Sequence, residues 1–266
     1  MARSEIEIER DGPWRTVWLS RPQARNALTP QMAAQLREAC AAMVAEGARG
    51  LTLRGRGGVF CAGGDLKGFA AALDGGLDRA AAERMSREAA RLFDEIDALP
   101  ILVVAAVEGA AAAGGVGLMC VADVAIAAED ARLALTETRL GLSPAQIAPF
   151  VLRRTGPAAA RRLMLTGAAL DAREAQRLGL VDQAVPADRL DAALAAVRAQ
   201  ALAAAPGAVA ETKALLRALP GLERAAQIER AARGFARLLT GDEAREGLAA
   251  FAARRKPRWA LAAPEE

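Results

Sequence analysis

The chain has no histidine and no tyrosine, and only three cysteines in 266 residues. Without histidine there is no Ser–His–Asp or Cys–His catalysis, and no G-x-S-x-G elbow is present to suggest a serine nucleophile. Cys40, Cys61 and Cys120 form no C-x-x-C spacing and leave an odd count. Three reduced, buried thiols of a cytoplasmic protein are the expectation, not a disulfide framework. Neither cysteine pairs nor carboxylate clusters stand at ligand spacing, so no metal site is expected. Lys plus Arg number 35 against 32 for Asp plus Glu, a net charge of +3. That excess is too small for a nucleic-acid partner, and no basic run is interleaved with aromatics. The densest basic cluster, Arg254–Arg258, reads as a solvated helix end, with a phosphate contact on a neighbouring subunit as its sharper alternative. Long apolar runs are also missing. The region 101–122 is broken by Glu108 and several glycines, so no membrane span is expected. The charged N-terminus lacks the apolar stretch of a signal peptide.

What is present is a globular composition, 53% hydrophobic and 25% charged. Alternation in Ile6–Ile8 and Thr16–Leu19 predicts two strands joined around Asp11-Gly12-Pro13. Thr29-Pro30 opens a helix carrying Met32, Leu36, Cys40 and Met43 on one face. A short strand at Leu51–Leu53 leads into a glycine-rich loop, and Asp65 is placed to cap the next helix. A long amphipathic helix over 77–99 ends at Pro100. Ile101–Val107 then reads as a strand buried on both faces. Strands alternating with helices at this spacing indicate an α/β fold. Past about residue 192 the strand signals stop. A soft boundary near 195 separates an α/β core, residues 1–195, from a helical C-terminal region, residues 196–266, which is too small to stand alone and should pack on the core or another subunit.

Two loops share one layout of buried strand, small residues and helix start: Gly57–Lys67 and Val107–Gly117. Glycine lets a backbone N–H approach a ligand unobstructed, and the start of a helix supplies unpaired N–H groups. Two such groups converging on one carbonyl oxygen would form an oxyanion hole. Neither loop matches a dinucleotide or P-loop fingerprint, and either alone reads better as a plain tight turn.

The ordered combination resembles the crotonase superfamily of enoyl-CoA hydratases and isomerases. The matching segments are Arg21-Pro22-Gln23-Ala24-Arg25-Asn26-Ala27-Leu28, Phe60–Lys67, Ala106–Asp123 and Thr136–Pro144. The closing Phe251–Pro257 also resembles the family's usual ending. The resemblance implies a crotonase-like spiral of ββα turns with a C-terminal helical trimerisation region, assembled as a homotrimer or homohexamer. It implies oxyanion N–H groups at Gly64 and Gly114 and an acid/base carboxylate at Glu137. Arg25, Ala62, Gly64, Asp65, Leu66 and Lys67 would lie along the coenzyme A moiety of an acyl-CoA substrate. No permanently bound cofactor is implied, since coenzyme A arrives with the substrate.

One departure stands out. Typical hydratases of this family carry a second glutamate three residues after the second oxyanion glycine, and here that position is Gly117. A single carboxylate suffices to move a proton between two carbons, which is double-bond isomerisation; hydration also needs a water to be oriented and deprotonated. Hydratases of methylglutaconyl-type and isohexenylglutaconyl-type thioesters resemble this chain at Gly114–Gly117 and at Pro144–Pro149, which favours an enoyl-CoA hydratase. A 3-enoyl- to 2-enoyl-CoA isomerase is the alternative, and a catalytically weak acyl-CoA-binding subunit a third reading. Glu108 and Gln146 are the candidates for the vacant role, and Cys61 reads as apolar filler. Within the superfamily, the missing histidine and tyrosine disfavour dehalogenation and naphthoate-forming ring closure.

Overall fold

The computed structural model describes residues 4–260. Strands β1 (Ile6–Asp11) and β2 (Trp14–Leu19) form an antiparallel hairpin, followed by helix α1 (Pro30–Ala45) and strand β3 (Gly50–Gly55). Thr29 caps α1 by accepting the Met32 N–H, with Pro30 in the first turn where its missing donor costs nothing. Helices α2 (Leu66–Asp74) and α3 (Arg79–Asp97) follow, then β4 (Leu102–Val107), β5 (Ala110–Ala112), the short α4 (Gly114–Cys120) and β6 (Val124–Ala128). The chain continues through β7 (Arg132–Ala134), α5 (Ala148–Thr166), β8 (Ala169–Asp171), α6 (Ala172–Arg177) and β9 (Gln183–Val185). Four helices close it: α7 (Leu190–Ala203), α8 (Pro206–Ala218), α9 (Arg224–Leu239) and α10 (Asp242–Ala252).

The main sheet runs β1-β2-β3-β4-β6-β9, parallel from β2 onward, and a smaller sheet runs β5-β7-β8. Period-two alternation divides β4 between two cores. Val103, Ala105 and Val107 join the large cluster beneath α1 and α3, while Val104 and Ala106 join a smaller one with Trp14, Ile126 and the α7 residues Leu190, Val197 and Leu202. Both faces of β4 are therefore covered, as its unbroken apolar run requires. The four apolar residues of α1 read from sequence are its buried ones. The point near residue 195 falls inside α7, which packs on the sheet, so the helices that leave the sheet begin with α8. Among the described residues, no single helix is long and apolar enough to cross a membrane.

Ion pairs tie α8 to the core. Lys213 Nζ donates to Asp123 Oδ2 at 2.6 Å and to the Ile101 carbonyl at 3.0 Å. Arg217 and, from α5, Arg153 both reach Asp97 at the end of α3. Burial alone would raise the Asp97 pKa, but the two arginines outweigh it and hold the carboxyl below its ordinary range. Its contribution is therefore present above the unfolded-state pKa and is lost as pH falls through the lower folded value. Asp97→Asn should cost on the order of 1–2 kcal/mol at neutral pH, discounted because both arginines are partly exposed. Urea titrations should show the difference between wild type and variant shrinking as pH falls below the ordinary aspartate range.

Candidate active site

The glycine-rich segment after β3 pairs with the segment around β5 almost as an extra strand. Phe60 N–H donates to the Glu108 carbonyl, Cys61 N–H to Ala110 and Ala112 N–H to Cys61, at 3.0, 3.2 and 2.9 Å. Small residues permit this approach. A Cβ on Gly115 would lie 2.3 Å from the Cys61 carbonyl oxygen, and one on Gly63 would lie 2.8 Å from that of Ala112. Gly63 also adopts φ +94°, a conformation side chains rarely tolerate. The first segment is held from its other side by Leu28, which donates to the Gly63 carbonyl at 2.7 Å and accepts from Asp65 N–H at 3.0 Å.

This zipper brings Gly64 and Gly114 together. A Cβ added at Gly114 would stand 3.7 Å from the Gly64 nitrogen. Neither N–H donates to another described residue. Ala113, just before Gly114, has φ +48° and ψ −121°, a strained backbone for a residue with a side chain. Its own N–H donates to the Ala134 carbonyl at 2.8 Å, tying the second loop to the end of β7.

Three residues past that carbonyl, Glu137 opens a 3-10 turn, Glu137–Leu140. Neighbouring residues brace the turn against the end of α5: Thr138 Oγ1 donates to the Met164 carbonyl at 3.1 Å and Arg139 Nε to that of Thr166 at 3.3 Å. Glu137 Oε2 is buried and has no hydrogen-bond partner among the described residues. Burial raises its pKa above the usual carboxylate value, only partly opposed by a hydrogen bond from its own backbone. A desolvated, unpaired carboxylate is costly to the fold and is the state in which a carboxyl becomes a useful proton carrier.

The space beside Gly117 holds hydrocarbon. A Cβ there would fall 2.1 Å from Ile147 Cγ2 and 3.3 Å from Phe93 Cε1, and both side chains are buried. Neither candidate for the missing carboxylate replaces it as a base. Glu108 is drawn off by Arg54 at 2.9 Å, and Arg54 also pairs with Asp191. Gln146 donates to Ser86 Oγ at 2.7 Å. Cys61 is buried, with its Sγ donating to the Asn26 carbonyl at 3.1 Å and its pKa pushed up to about 12 by burial, consistent with inert filler.

The remaining sequence-derived positions cluster around the first segment. Asp65 caps α2 through the Lys67 and Gly68 N–H groups and meets Arg21 at 3.3 Å. Ala62 N–H donates to the Arg25 carbonyl at 3.0 Å. Arg25, Leu66 and Lys67 are exposed at its edge. Sequence reasoning missed the organiser of this region, Asn26. This buried side chain accepts from Arg21 N–H at 2.9 Å and donates to the carbonyls of Arg56 and Val59 at 2.9 and 2.6 Å. An asparagine in a polar loop carries no sequence signal of burial.

The unpartnered Gly64 and Gly114 N–H groups and, on a segment tied to the Gly114 loop, the desolvated Glu137 carboxylate are carried by one α/β fold, as the resemblance to the crotonase superfamily implies. Comparison with known proteins agrees. Residues 15–261 match the enoyl-CoA hydratase/isomerase family, and the chain belongs to it. The Pseudomonas aeruginosa AtuE structure is 46% identical and superposes with a TM-score of 0.93, covering 97% of this chain and 100% of that one. An enoyl-CoA hydratase/isomerase from Marinobacter aquaeolei is 37% identical at TM-score 0.91, covering 97% and 99%. An enoyl-CoA hydratase from Mycobacterium smegmatis is 32% identical at TM-score 0.91, covering 97% and 100%.

Gly117 and Ile147 provide a direct check of this packing. Gly117→Ala should destabilise by about 1–3 kcal/mol through overpacking, and Ile147→Ala by about 2–5 kcal/mol through a cavity. The double variant should be more stable than the sum of the two losses allows, by about 0.5 kcal/mol or more. Thermal denaturation of all four proteins measures the coupling; strict additivity would contradict the contact.

Proposed function

We propose that the chain is an enoyl-CoA hydratase that adds water across the double bond of a 2-enoyl-CoA thioester, with Glu137 as its one acid/base carboxylate. The observation that carries this reading is the buried, unpartnered Glu137 carboxylate on the segment that Ala113 ties to the Gly114 loop. The thioester oxygen sits between the Gly64 and Gly114 N–H groups. As ionised Glu137 takes a proton from water, the water oxygen bonds to Cβ and the displaced electron pair moves onto the thioester oxygen as an enolate. Glu137 then returns its proton to Cα, so one water supplies both added groups and the carboxylate is regenerated. Each oxyanion donor is worth about 3 kcal/mol in comparable sites. Arg25, Ala62, Asp65, Leu66 and Lys67 flank the coenzyme A portion, with Arg25 and Lys67 supplying exposed cations for its phosphates. Coenzyme A enters as part of the substrate, and branched or glutaconyl-type acyl groups are the favoured class.

The hydrocarbon wall of Ile147 and Phe93 supports a second reading, a 3-enoyl- to 2-enoyl-CoA isomerase. There Glu137 would carry a proton from Cα to the γ carbon with no water involved. In either case the exposed apolar residues of α9 and α10, Ile228, Phe235, Leu239, Leu248 and Phe251, would be covered by further copies in a homotrimer or homohexamer of a cytoplasmic enzyme.

Mass spectrometry of products from a panel of 2-enoyl and 3-enoyl thioesters decides between the two chemistries. A 3-hydroxyacyl product supports hydration, a shifted double bond supports isomerisation, and no product from any thioester removes both. Glu137→Gln should lower turnover by about 10²-fold or more and should raise the melting temperature. The sign follows from the raised pKa: a buried carboxyl favours its neutral form, so its ionisation costs stability once pH exceeds the unfolded value. Wild-type kcat/KM should fall on the acid side at a pH above the ordinary glutamate range, because the base must be ionised.

A further inference from the structure

The break between α7 and α8 leaves a cavity remote from the glycine-rich loops. The two helices turn through 103° between Ala203 and Pro206, and the inside of this corner faces the starts of β4 and β6. There Ile101, Leu102 and Val124 from the sheet side, Val197 and Ala201 from α7 and Val209 from α8 enclose about 250 Å³. An alanine at 201 fills little of the corner. From Leu102, β4 runs about 16 Å to Val107 before the Gly114 loop begins. The cavity and Gly114 therefore lie at opposite ends of the sheet.

Arg49 and Gln200 are the polar residues of this lining. Gln200 is exposed at the rim and Arg49 is half-buried. The Arg49 guanidinium donates to the carbonyls of Ala204 at 2.5 Å, Trp259 at 3.1 Å and Leu202 at 3.5 Å. Those contacts hold the end of α7 to the C-terminal segment, and they leave some of its five N–H groups unused. Carbonyls do not neutralise a cation, and among the described residues no carboxylate forms an ion pair with Arg49. Other shielded cations of the chain, Arg21, Arg54, Arg154 and Lys213, each pair with a carboxylate. Burial accordingly lowers the Arg49 pKa, opposed only in part by the charge of Glu243. A cation without a counterion beside an enclosed apolar volume suits an amphiphile with an acid head.

We propose that this cavity is a second ligand site, which takes a free aliphatic carboxylate of medium length with its chain against Ile101 and Val197 and its acid group on Arg49. The length follows from the volume. An apolar cavity of about 150 Å³ holds benzene, so about 250 Å³ holds about ten heavy atoms, the size of octanoate. The acid group supplies the countercharge that Arg49 lacks, through the N–H groups left free by the carbonyls. This site is separate from the one that would hold an acyl-CoA and does not rest on the hydratase reading.

Calorimetry on the full chain, with excess octanoyl-CoA present to occupy the thioester site, compares octanoate, octan-1-ol and acetate. Octanoate should bind about tenfold more tightly than octan-1-ol, the difference of one charge-assisted contact, and acetate should give no signal. Arg49→Met should abolish the advantage of octanoate while leaving octan-1-ol within about twofold. Ala201→Met keeps Arg49 but fills the corner, and should weaken octanoate and octan-1-ol alike by about tenfold. If Arg49→Met loosens the end of α7 and fails to fold, a crystal structure of wild type with octanoate decides. A chain beside Val197 with its acid group in hydrogen-bond reach of Arg49 supports the site, and an empty cavity overturns it. Equal affinity for octanoate and octan-1-ol, or displacement of octanoate by octanoyl-CoA, would overturn it as well.

Discussion

The close approach of two backbones, residues 60–64 against 108–114, is the contact on which the rest of the site depends. It is made of ordinary peptide hydrogen bonds, but it exists only because Gly63 and Gly115 present no Cβ to the opposing carbonyls. Each element of the larger fold then serves to fix one side of it. β3 delivers the first segment, β4 the second, and the Arg21–Asn26–Leu28 stretch clamps the first from behind. Glycine raises the entropic cost of ordering such loops, so the clamps are needed as much as the close approach. The strained backbone at Ala113 fits this account. Strain of that kind persists only where surrounding contacts over-determine it, and its N–H is held by Ala134 on a third segment.

That same bond ties the Gly114 loop to the segment that carries Glu137. Glu137 lies a few residues along from the carbonyl that holds Ala113, and its turn is pinned to the end of α5. Catalysis of this kind needs groups that are fixed before substrate arrives, so that no reorganisation is charged to the transition state. The unpartnered Oε2 is the cost of that arrangement to folding stability. Pairing it with a cation would stabilise the protein and lower its pKa, and would work against the proton-carrying role proposed for it.

The sequence disclosed much of this unevenly, for physical reasons. Regular elements were legible where one face alone was buried, as in α1 with its four inward residues, or where both were, as in β4. The three-residue strands β5, β7, β8 and β9 escaped, since nothing that short carries a period. The two glycine-rich loops were legible because small residues at that spacing permit backbone approach, which is what the fold achieves; the roles of Gly64, Gly114 and Glu137 came from the family resemblance. Asn26 was not, because its value lies in carbonyls brought from thirty residues away. Nor could the fate of the space beside Gly117 be read, since Ile147 is remote in sequence.

Gly117 and Ile147 bear on the chemistry more than either would alone. A glutamate at 117 could not simply be restored, because its Cβ would overlap Ile147 Cγ2 and crowd Phe93. The two positions form one packing unit, filled by hydrocarbon where the family resemblance implies a carboxylate. Under the proposed mechanism, a water on that side would meet apolar surface and no second base. Glu137 then carries every proton step alone, and its burial raises its pKa above the ordinary glutamate value.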